Sequence, residues 1–242
     1  MFPVLGSALG YVDTNPAGKV FLINENTSDG SFVYHHLMHN HMRDDSIVCF
    51  VGTIQSLQHH CAIQSKHGLN LNTLQDSGKF IYIDAMKIYE ENESNTPDLR
   101  KIVDTIAINV EKHFVKSIFL VIEDVSIFVS LGSSVADIVN FVRYCKSIIQ
   151  PSANSSNCVA VLVHVDAEND EEIANLCDYL CDLCHVLVEI RNFSTGHFAH
   201  VDGEIAVKHL DDCERKNDFR MHFKLDERNL KLFAPGTSPT IL

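Results

Sequence analysis

Short, continuous apolar runs recur along the chain and are separated by segments with helical periodicity. The runs are rich in Val, Ile and Phe, and they lack the strict alternation of a strand with one face in water. Strands that are buried on both faces of a parallel sheet have this pattern. Six runs qualify, at residues 20–23, 47–51, 80–83, 118–122, 159–163 and 186–190. They predict six central strands of a parallel sheet.

The segments between these runs have the periodicity of amphipathic helices. Thr96-Pro97-Asp98 predicts a helix start, because a capping hydroxyl precedes a proline at the first helical position. Ser134 and Asp137 have the spacing of a capping box, with Asp in place of the usual Glu. Three buried stripes at helical spacing follow: Leu99, Ile102, Val103, Ile106, Val110 and Phe114; Val135, Ile138, Val142, Cys145 and Ile149; Ile173, Leu176, Cys177, Leu180 and Cys184. Weaker patterns predict helices near 31–43 and 56–67.

Strand and helix alternate to about residue 190, and this order predicts the fold class. With right-handed crossovers it gives an α/β protein, with a doubly wound, mostly parallel sheet and helices on both faces. Beyond that point Asp202-Gly203 predicts a tight hairpin. Residues 219–225 alternate between apolar and polar side chains, and the apolar segment 230–233 follows after a four-residue turn. We expect a C-terminal antiparallel β meander and tail within 196–242. The prediction is one domain over 1–242, with a poorly defined N-terminal segment at 1–17.

The charge balance limits which partners the chain can bind alone. Its 32 acidic residues exceed its 19 Lys and Arg, giving a formal net charge of −13. A protein that grips phosphates unaided is usually basic, so independent nucleic-acid binding is disfavoured. No apolar stretch approaches the roughly 20 residues that span a bilayer. Cysteines inside apolar runs indicate buried, reduced thiols. We therefore expect a cytoplasmic protein without a membrane partner.

The loop after the first run is where a phosphate site is expected. Ligands of open α/β sheets bind beyond the carboxyl ends of strands, and a P-loop at this place reads G-x-x-x-x-G-K-[ST]. Aligned on Gly30, the chain has Glu25 at the first glycine of that motif. Ser31 replaces the lysine, and Phe32 replaces the hydroxyl residue that binds Mg²⁺. Each change weakens phosphate binding, so no cofactor is expected.

Two interpretations of this loop follow from the residues. The first is an ordinary capped turn, with Asp29 or Ser31 as the helix cap, in a protein that does not hydrolyse ATP by itself. The alternative is a diverged ATPase with an atypical phosphate loop over residues 24–31. Glu123 and Asp124 directly follow the fourth run, as the acidic residue of a Walker B motif would. A carboxylate alone does not assemble a Mg–ATP site without the phosphate cradle opposite.

The remaining clusters of metal-ligating residue types have simpler interpretations. Cys177, Cys181 and Cys184 have the C-x-x-x-C-x-x-C spacing of radical-SAM clusters, but they fall on a predicted helix. They indicate a cysteine-rich core face, with a metal or redox regulatory protein as a further alternative. The remaining candidates are histidines, which we expect on solvated helix faces because a zinc site needs a third ligand: His35, His39, His41, His59 and His60. Neither a metal site nor a set of catalytic residues is predicted.

An ordered set of short segments resembles one protein family along nearly the whole chain. The segments are TSDGSF at 27–32, VCFV at 48–51, IQS at 54–56, LG at 131–132, FVRYC at 141–145, VLVH at 161–164 and FAPGTSP at 233–239. This set, from about residue 18 onward, is similar to the sixth subunit of the Elongator complex. The resemblance implies a RecA-like fold without working Walker motifs.

The resemblance also implies a structural role rather than an enzymatic one. Members of this family assemble with the fourth and fifth Elongator subunits, two copies of each, in a hexameric ring. The ring binds tRNA, docks on the remaining Elongator subunits and supports modification of wobble uridines. This chain would contact tRNA through the assembled ring rather than alone, in the cytoplasm, with the nucleus as an open second location. Arg143, Arg191 or Arg220 could complete a neighbour's nucleotide site in trans. The segment at 233–239 could be an interface or a core-packing tail.

Overall fold

A computed structural model describes residues 1–11, 16–92, 95–112, 116–150, 156–165, 170–192, 201–210, 219–226 and 228–235. The strands in this part of the chain form a single nine-stranded sheet. They are β1 (Val20–Asn26), β2 (Ile47–Gly52), β3 (Phe80–Asp84), β4 (Ile118–Ile122), β5 (Cys158–His164), β6 (Val186–Arg191), β7 (Gly203–His209), β8 (Phe219–Leu225) and β9 (Leu230–Phe233). Their order across the sheet is β3-β2-β4-β5-β1-β6-β7-β8-β9.

The pairing of the strands confirms the predicted fold class. Strands β1 to β6 pair in parallel, while β7, β8 and β9 continue the sheet as an antiparallel meander. Each of the six predicted apolar runs lies in a strand of the parallel part. The chain therefore has a RecA-like, doubly wound fold with an antiparallel extension at its C-terminal side.

Helices cover both faces of the sheet. They are α1 (Pro3–Ala8), α2 (Ser31–Arg43), α3 (Leu57–Lys66), α4 (Leu71–Asp76), α5 (Ala85–Glu90), α6 (Leu99–Glu111), α7 (Ser126–Ser130), α8 (Val135–Ile149) and α9 (Glu171–Cys181). Successive residues of a strand point to opposite faces. Leu120 therefore packs in the core beneath α5 to α9, and Phe119 packs in the core beneath α1 to α4. Within the described helices, none is long and apolar enough to cross a bilayer.

Of the two helix starts predicted from capping residues, one is confirmed and the other is wrong. Ser134 caps α8 as predicted, since its hydroxyl accepts the amide of Asp137 and donates to the Asp137 carboxylate. The start predicted at Thr96 is wrong by two residues. Asp98 caps α6, because its carboxylate accepts the Lys101 amide at 3.0 Å, and Pro97 lies before the cap.

The hairpin predicted at Asp202-Gly203 is wrong. Strand β7 starts at Gly203 and pairs with β6 on one side and β8 on the other. A Cβ atom on Gly203 would lie 2.5 Å from the carbonyl oxygen of Arg191. The glycine therefore permits a close approach of strands rather than a tight turn. The Asp202 carboxylate accepts the Leu225 amide at 2.7 Å and joins the start of β7 to the end of β8.

The N-terminal segment forms part of the packing around α2. Residues 1–11 contain α1, and Phe2, Leu5 and Leu9 are buried in the same core as α2. The Phe2 amide donates to Nδ1 of His36 at 3.1 Å. Residues 12–15 of the segment expected to be poorly defined lie outside the described residues.

This covering overturns the expectation that the histidines lie on solvated helix faces. His35, His39 and His41 on α2 are 1%, 5% and 2% exposed, and His60 on α3 is fully buried. His59 is exposed, as expected. The reason is that α2 lies between the sheet on one side and α1 and α3 on the other, so it has no solvated side where these histidines lie.

Candidate functional site: a phosphate loop filled by a carboxylate

The loop between β1 and α2 is closed by a side chain from the end of β1. The Glu25 carboxylate turns back into the loop, where its Oε2 accepts the Gly30 amide at 2.6 Å. Its Oε1 lies 3.0 Å from Nδ1 of His164 at the end of β5. Burial raises the pKa of Glu25, while the Gly30 amide and His164 act in the opposite direction. The carboxylate thus occupies the place that an anion would take at this helix start.

The residues around Glu25 complete the closure. The N-cap position of α2 is Gly30, so neither Asp29 nor Ser31 is the cap as expected. Asp29 nevertheless accepts the Ser31 amide at 2.8 Å. Phe32 is buried and packs against Phe223 with ring centroids 5.3 Å apart. A core residue, Phe32, therefore stands where a P-loop has its Mg²⁺-binding hydroxyl. The carboxylates of Glu25 and Asp29 accept the amides of Gly30 and Ser31 at the start of the helix.

Glu123 holds the loop that follows β2. The residue is 3% exposed, and its carboxylate accepts the backbone amides of Thr53 and Ile54, each at 2.8 Å. It also accepts the Gln55 amide at 3.1 Å. Nε2 of His60 lies 3.3 Å from Oε1 of Glu123, an ion-pair distance without the alignment of a hydrogen bond. Burial acts to raise the pKa of Glu123, but these contacts outweigh it and the pKa is lowered.

Asp124 is likewise engaged within the protein. Its Oδ1 accepts the Ser126 hydroxyl at 2.6 Å and the Ser126 amide at 2.8 Å. The Asp124 amide donates to Oγ1 of Thr53 at 3.1 Å, which ties β4 to the same β2 loop. Burial raises the pKa of Asp124 against these hydrogen bonds. In this arrangement the two Walker B-like residues organise backbone rather than face an open metal position.

A buried polar network beside this site was missed by sequence reasoning. Gln64 of α3 is fully buried, and its Nε2 donates to the carbonyl oxygen of His35 at 3.0 Å. The ring centroids of His35 and His60 lie 5.4 Å apart. The sequence carries little signal for this network, because α3 has few apolar residues and resembles a solvated helix.

The three cysteines lie where a core face was predicted. Cys177 and Cys184 are buried in the core beneath α9, and Cys181 is partly buried at the helix end. Cys184 lies beyond the helix, not on it. Burial raises the pKa of the Cys177 thiol to about 12. Among the described residues, no three His, Cys, Asp or Glu side chains are grouped so that they could hold a metal ion.

The three candidate arginines occupy separate places. Arg191 ends β6 opposite Asn26, at the carboxyl edge of the parallel strands, and pairs with Glu189. Arg220 lies within β8. Arg143 is exposed on α8. Only Arg191 of these three lies beside the loop that Glu25 closes.

These features define a RecA-like protein whose phosphate loop is filled by a carboxylate of its own chain. A model of the family described as Elongation complex protein 6 matches residues 2–227. The chain belongs to that family.

Individual members of this family are similar to the chain along its full length. Elongator complex protein 6 of Xenopus laevis is 27% identical over 267 residues, with all of both chains covered. The Homo sapiens protein is 25% identical over 267 residues, again with full coverage. Among solved structures, an uncharacterized protein from Pyrococcus horikoshii, crystallised with an unknown peptide, matches with a TM-score of 0.70. It covers 97% of this chain and 98% of its own at 10% identity, which shows a shared fold alone.

Proposed function

We propose that this chain is a non-catalytic structural subunit of the Elongator complex. It completes a hexameric ring that contains two copies each of this chain and of the fourth and fifth subunits. The assembled ring binds tRNA and supports wobble-uridine modification by the remaining subunits. The chain acts in the cytoplasm, with the nucleus as a second location to be tested.

The observation that carries the non-catalytic role is the 2.6 Å contact between the Glu25 carboxylate and the Gly30 amide. A phosphate-binding loop needs free amides and a positive charge at this place. Here the amides are taken by carboxylates, and the charge is negative. Membership of the Elongation complex protein 6 family supports a place in the complex.

The carboxyl edge of the sheet is the surface that we assign to a neighbouring subunit. In RecA-type rings the nucleotide site lies between subunits, so the loops at this edge face a neighbour. Ile54 is 50% exposed there, on the loop that Glu123 holds through three amides. A rigidly held apolar side chain of this kind suits an interface anchor.

The acidic character of the chain supports a shared rather than an independent tRNA contact. With a formal net charge of −13, the chain alone repels a phosphate backbone. We therefore assign tRNA binding to the ring, whose other subunits would supply the cations.

Co-expression with the fourth and fifth subunits tests the proposal. We expect the three chains to purify together through a tag on this chain and to bind tRNA only as the full set. Failure to co-purify with both partners would remove the ring proposal. ATP hydrolysis by the pure chain, lost in Asp124→Ala, would instead support the diverged ATPase.

A further inference from the structure

A groove on the outer side of the helix layer has no role in the function proposed above. It lies between the first two turns of α6 and the first three turns of α8 and has a volume of about 690 Å³. Val103 of α6 and Phe141 of α8 form part of its apolar lining. Phe141 is 2% exposed and belongs to the core, so the floor of the groove is fixed by the packing of the two helices.

The rim of the groove is acidic. Among the described residues, Asp98, Asp104 and Asp137 line it, against one cation, Arg100. Asp98 and Asp137 each use one oxygen at the helix caps. Asp104 is exposed and makes no hydrogen bond or ion pair with any described residue, so its carboxylate is free to pair with an incoming cation.

One wall of the groove is aromatic. Tyr144 on α8 is 63% exposed, although its ring is large and mostly apolar. An aromatic ring beside carboxylates attracts a guanidinium or ammonium group twice, through its π face and through the neighbouring negative charge. The apolar floor below accepts a hydrophobic side chain.

We propose that this groove binds an extended basic segment of a partner protein, one that carries Arg or Lys beside an apolar residue. The cation lies against Tyr144 and within reach of Asp104, and the apolar side chain rests on Val103 and Phe141. The same carboxylates exclude nucleic acid, because they repel phosphates. A second copy of this chain is disfavoured by the acidity of the chain as a whole.

Fluorescence anisotropy with defined peptides tests this proposal on the purified full chain. The probe is a fluorescein-labelled peptide of alternating Arg and Leu, with a Glu–Leu peptide and an Arg–Gly peptide as references. We expect saturable binding of the Arg–Leu peptide at low salt and at least tenfold weaker binding of both references. Because the chain is tested alone, the result does not depend on whether the ring forms.

Matched variants separate the groove from the general acidity of the surface. We expect Asp104→Lys and Tyr144→Ala each to weaken binding of the Arg–Leu peptide about tenfold, as for loss of one charge pair or one aromatic contact. Asp178→Lys and Tyr179→Ala change the same residue types at exposed places on α9 and should leave binding unchanged. Circular dichroism checks that all four variants are folded.

Three results would overturn the proposal. One is an equal loss of Arg–Leu peptide binding in the two α9 variants, which would mean that the peptide is attracted by the negative charge of the whole surface. Another is no binding of the Arg–Leu peptide, or equal binding of the Glu–Leu peptide. The third is a dimer in light scattering that Tyr144→Ala dissolves, which means that the groove holds a second copy of the chain.

Discussion

The carboxylate of Glu25, near the end of β1, accepts the amide of Gly30 at 2.6 Å, five residues further along the chain. The contact fills a helix start that would otherwise attract an anion. His164 holds the other oxygen of the carboxylate at 3.0 Å. The loop is therefore closed by side chains of the protein itself, and its conformation is set without a bound ligand.

Removing this carboxylate should loosen the loop without creating a nucleotide site. Glu25→Ala leaves the Gly30 amide without its partner, so we expect about 1–2 kcal/mol loss in the free energy of unfolding. Glu25→Gln keeps an accepting oxygen and should lose less. Calorimetry should detect no ATP binding by either variant, because Ser31 and Phe32 still replace the lysine and the hydroxyl. Tight ATP binding by Glu25→Ala would show that the carboxylate alone blocks a competent site.

Glu123 should matter more for stability than an exposed acidic residue. Glu123→Ala deprives three backbone amides of their acceptor, and we expect a loss of about 2–4 kcal/mol in urea unfolding. Asp178→Ala, at an exposed position of α9, is the control and should change stability by less than about 0.5 kcal/mol. Similar effects of the two substitutions would contradict the assigned role of Glu123.

The buried histidines should make the protein sensitive to acid. Burial lowers the pKa of His36 and of His41 to about 3, and that of His39 to about 4, from an ordinary value of 6.5. Below pH 6.5 these histidines bind protons in the unfolded chain but stay neutral in the folded protein. The free energy of unfolding therefore falls as the pH drops from 6.5 towards 3. For one such histidine the loss from pH 7 to pH 5 is about 2 kcal/mol.

His41→Phe isolates one of these contributions. The His41 ring stacks on Phe119 at 4.2 Å, and neither of its nitrogens has a hydrogen-bond partner in the part of the chain that the structure describes. An apolar ring therefore fits the site without losing a hydrogen bond. We expect the variant to unfold in urea with a shallower dependence on pH between 7 and 5. An unchanged pH dependence would mean that His41 is not held neutral by burial.

Ile54 should act in assembly rather than in folding. Because the side chain is half exposed, Ile54→Arg should leave the urea midpoint of the isolated chain nearly unchanged. We expect the same substitution to weaken co-purification with the fourth and fifth subunits. The matched control is Ile108→Arg, because Ile108 is also an exposed apolar residue but lies on α6, away from the carboxyl edge. Equal effects of the two substitutions on assembly would contradict the special role of the carboxyl edge.

Much of the fold could be predicted because its signals are local. Continuous apolar runs give the buried parallel strands, and period-3.6 stripes give α6, α8 and α9. The same local reasoning failed at Gly203, because a glycine serves a turn and a close strand approach equally well. It failed at His35 and His41 because α1 and α3 cover α2, and no pattern within α2 shows what packs outside it.

The candidate site was predicted only in part. The sequence shows that Glu25 stands where a phosphate loop has glycine, but it does not show where the carboxylate goes. Its partner His164 lies 139 residues away, on a strand that is adjacent only in the folded sheet. The three amides that Glu123 accepts are backbone groups, which carry no residue-type signal. Long-range pairs and backbone donors of this kind come from tertiary structure.

The central claim is that this chain is one subunit of a ring, and its mass in solution tests that most directly. Light scattering after gel filtration should be run on the chain alone and on the chain co-expressed with the fourth and fifth Elongator subunits. We expect a hexamer with two copies of each chain, formed only when both partners are present. A chain that stays monomeric in the presence of both partners would contradict the account.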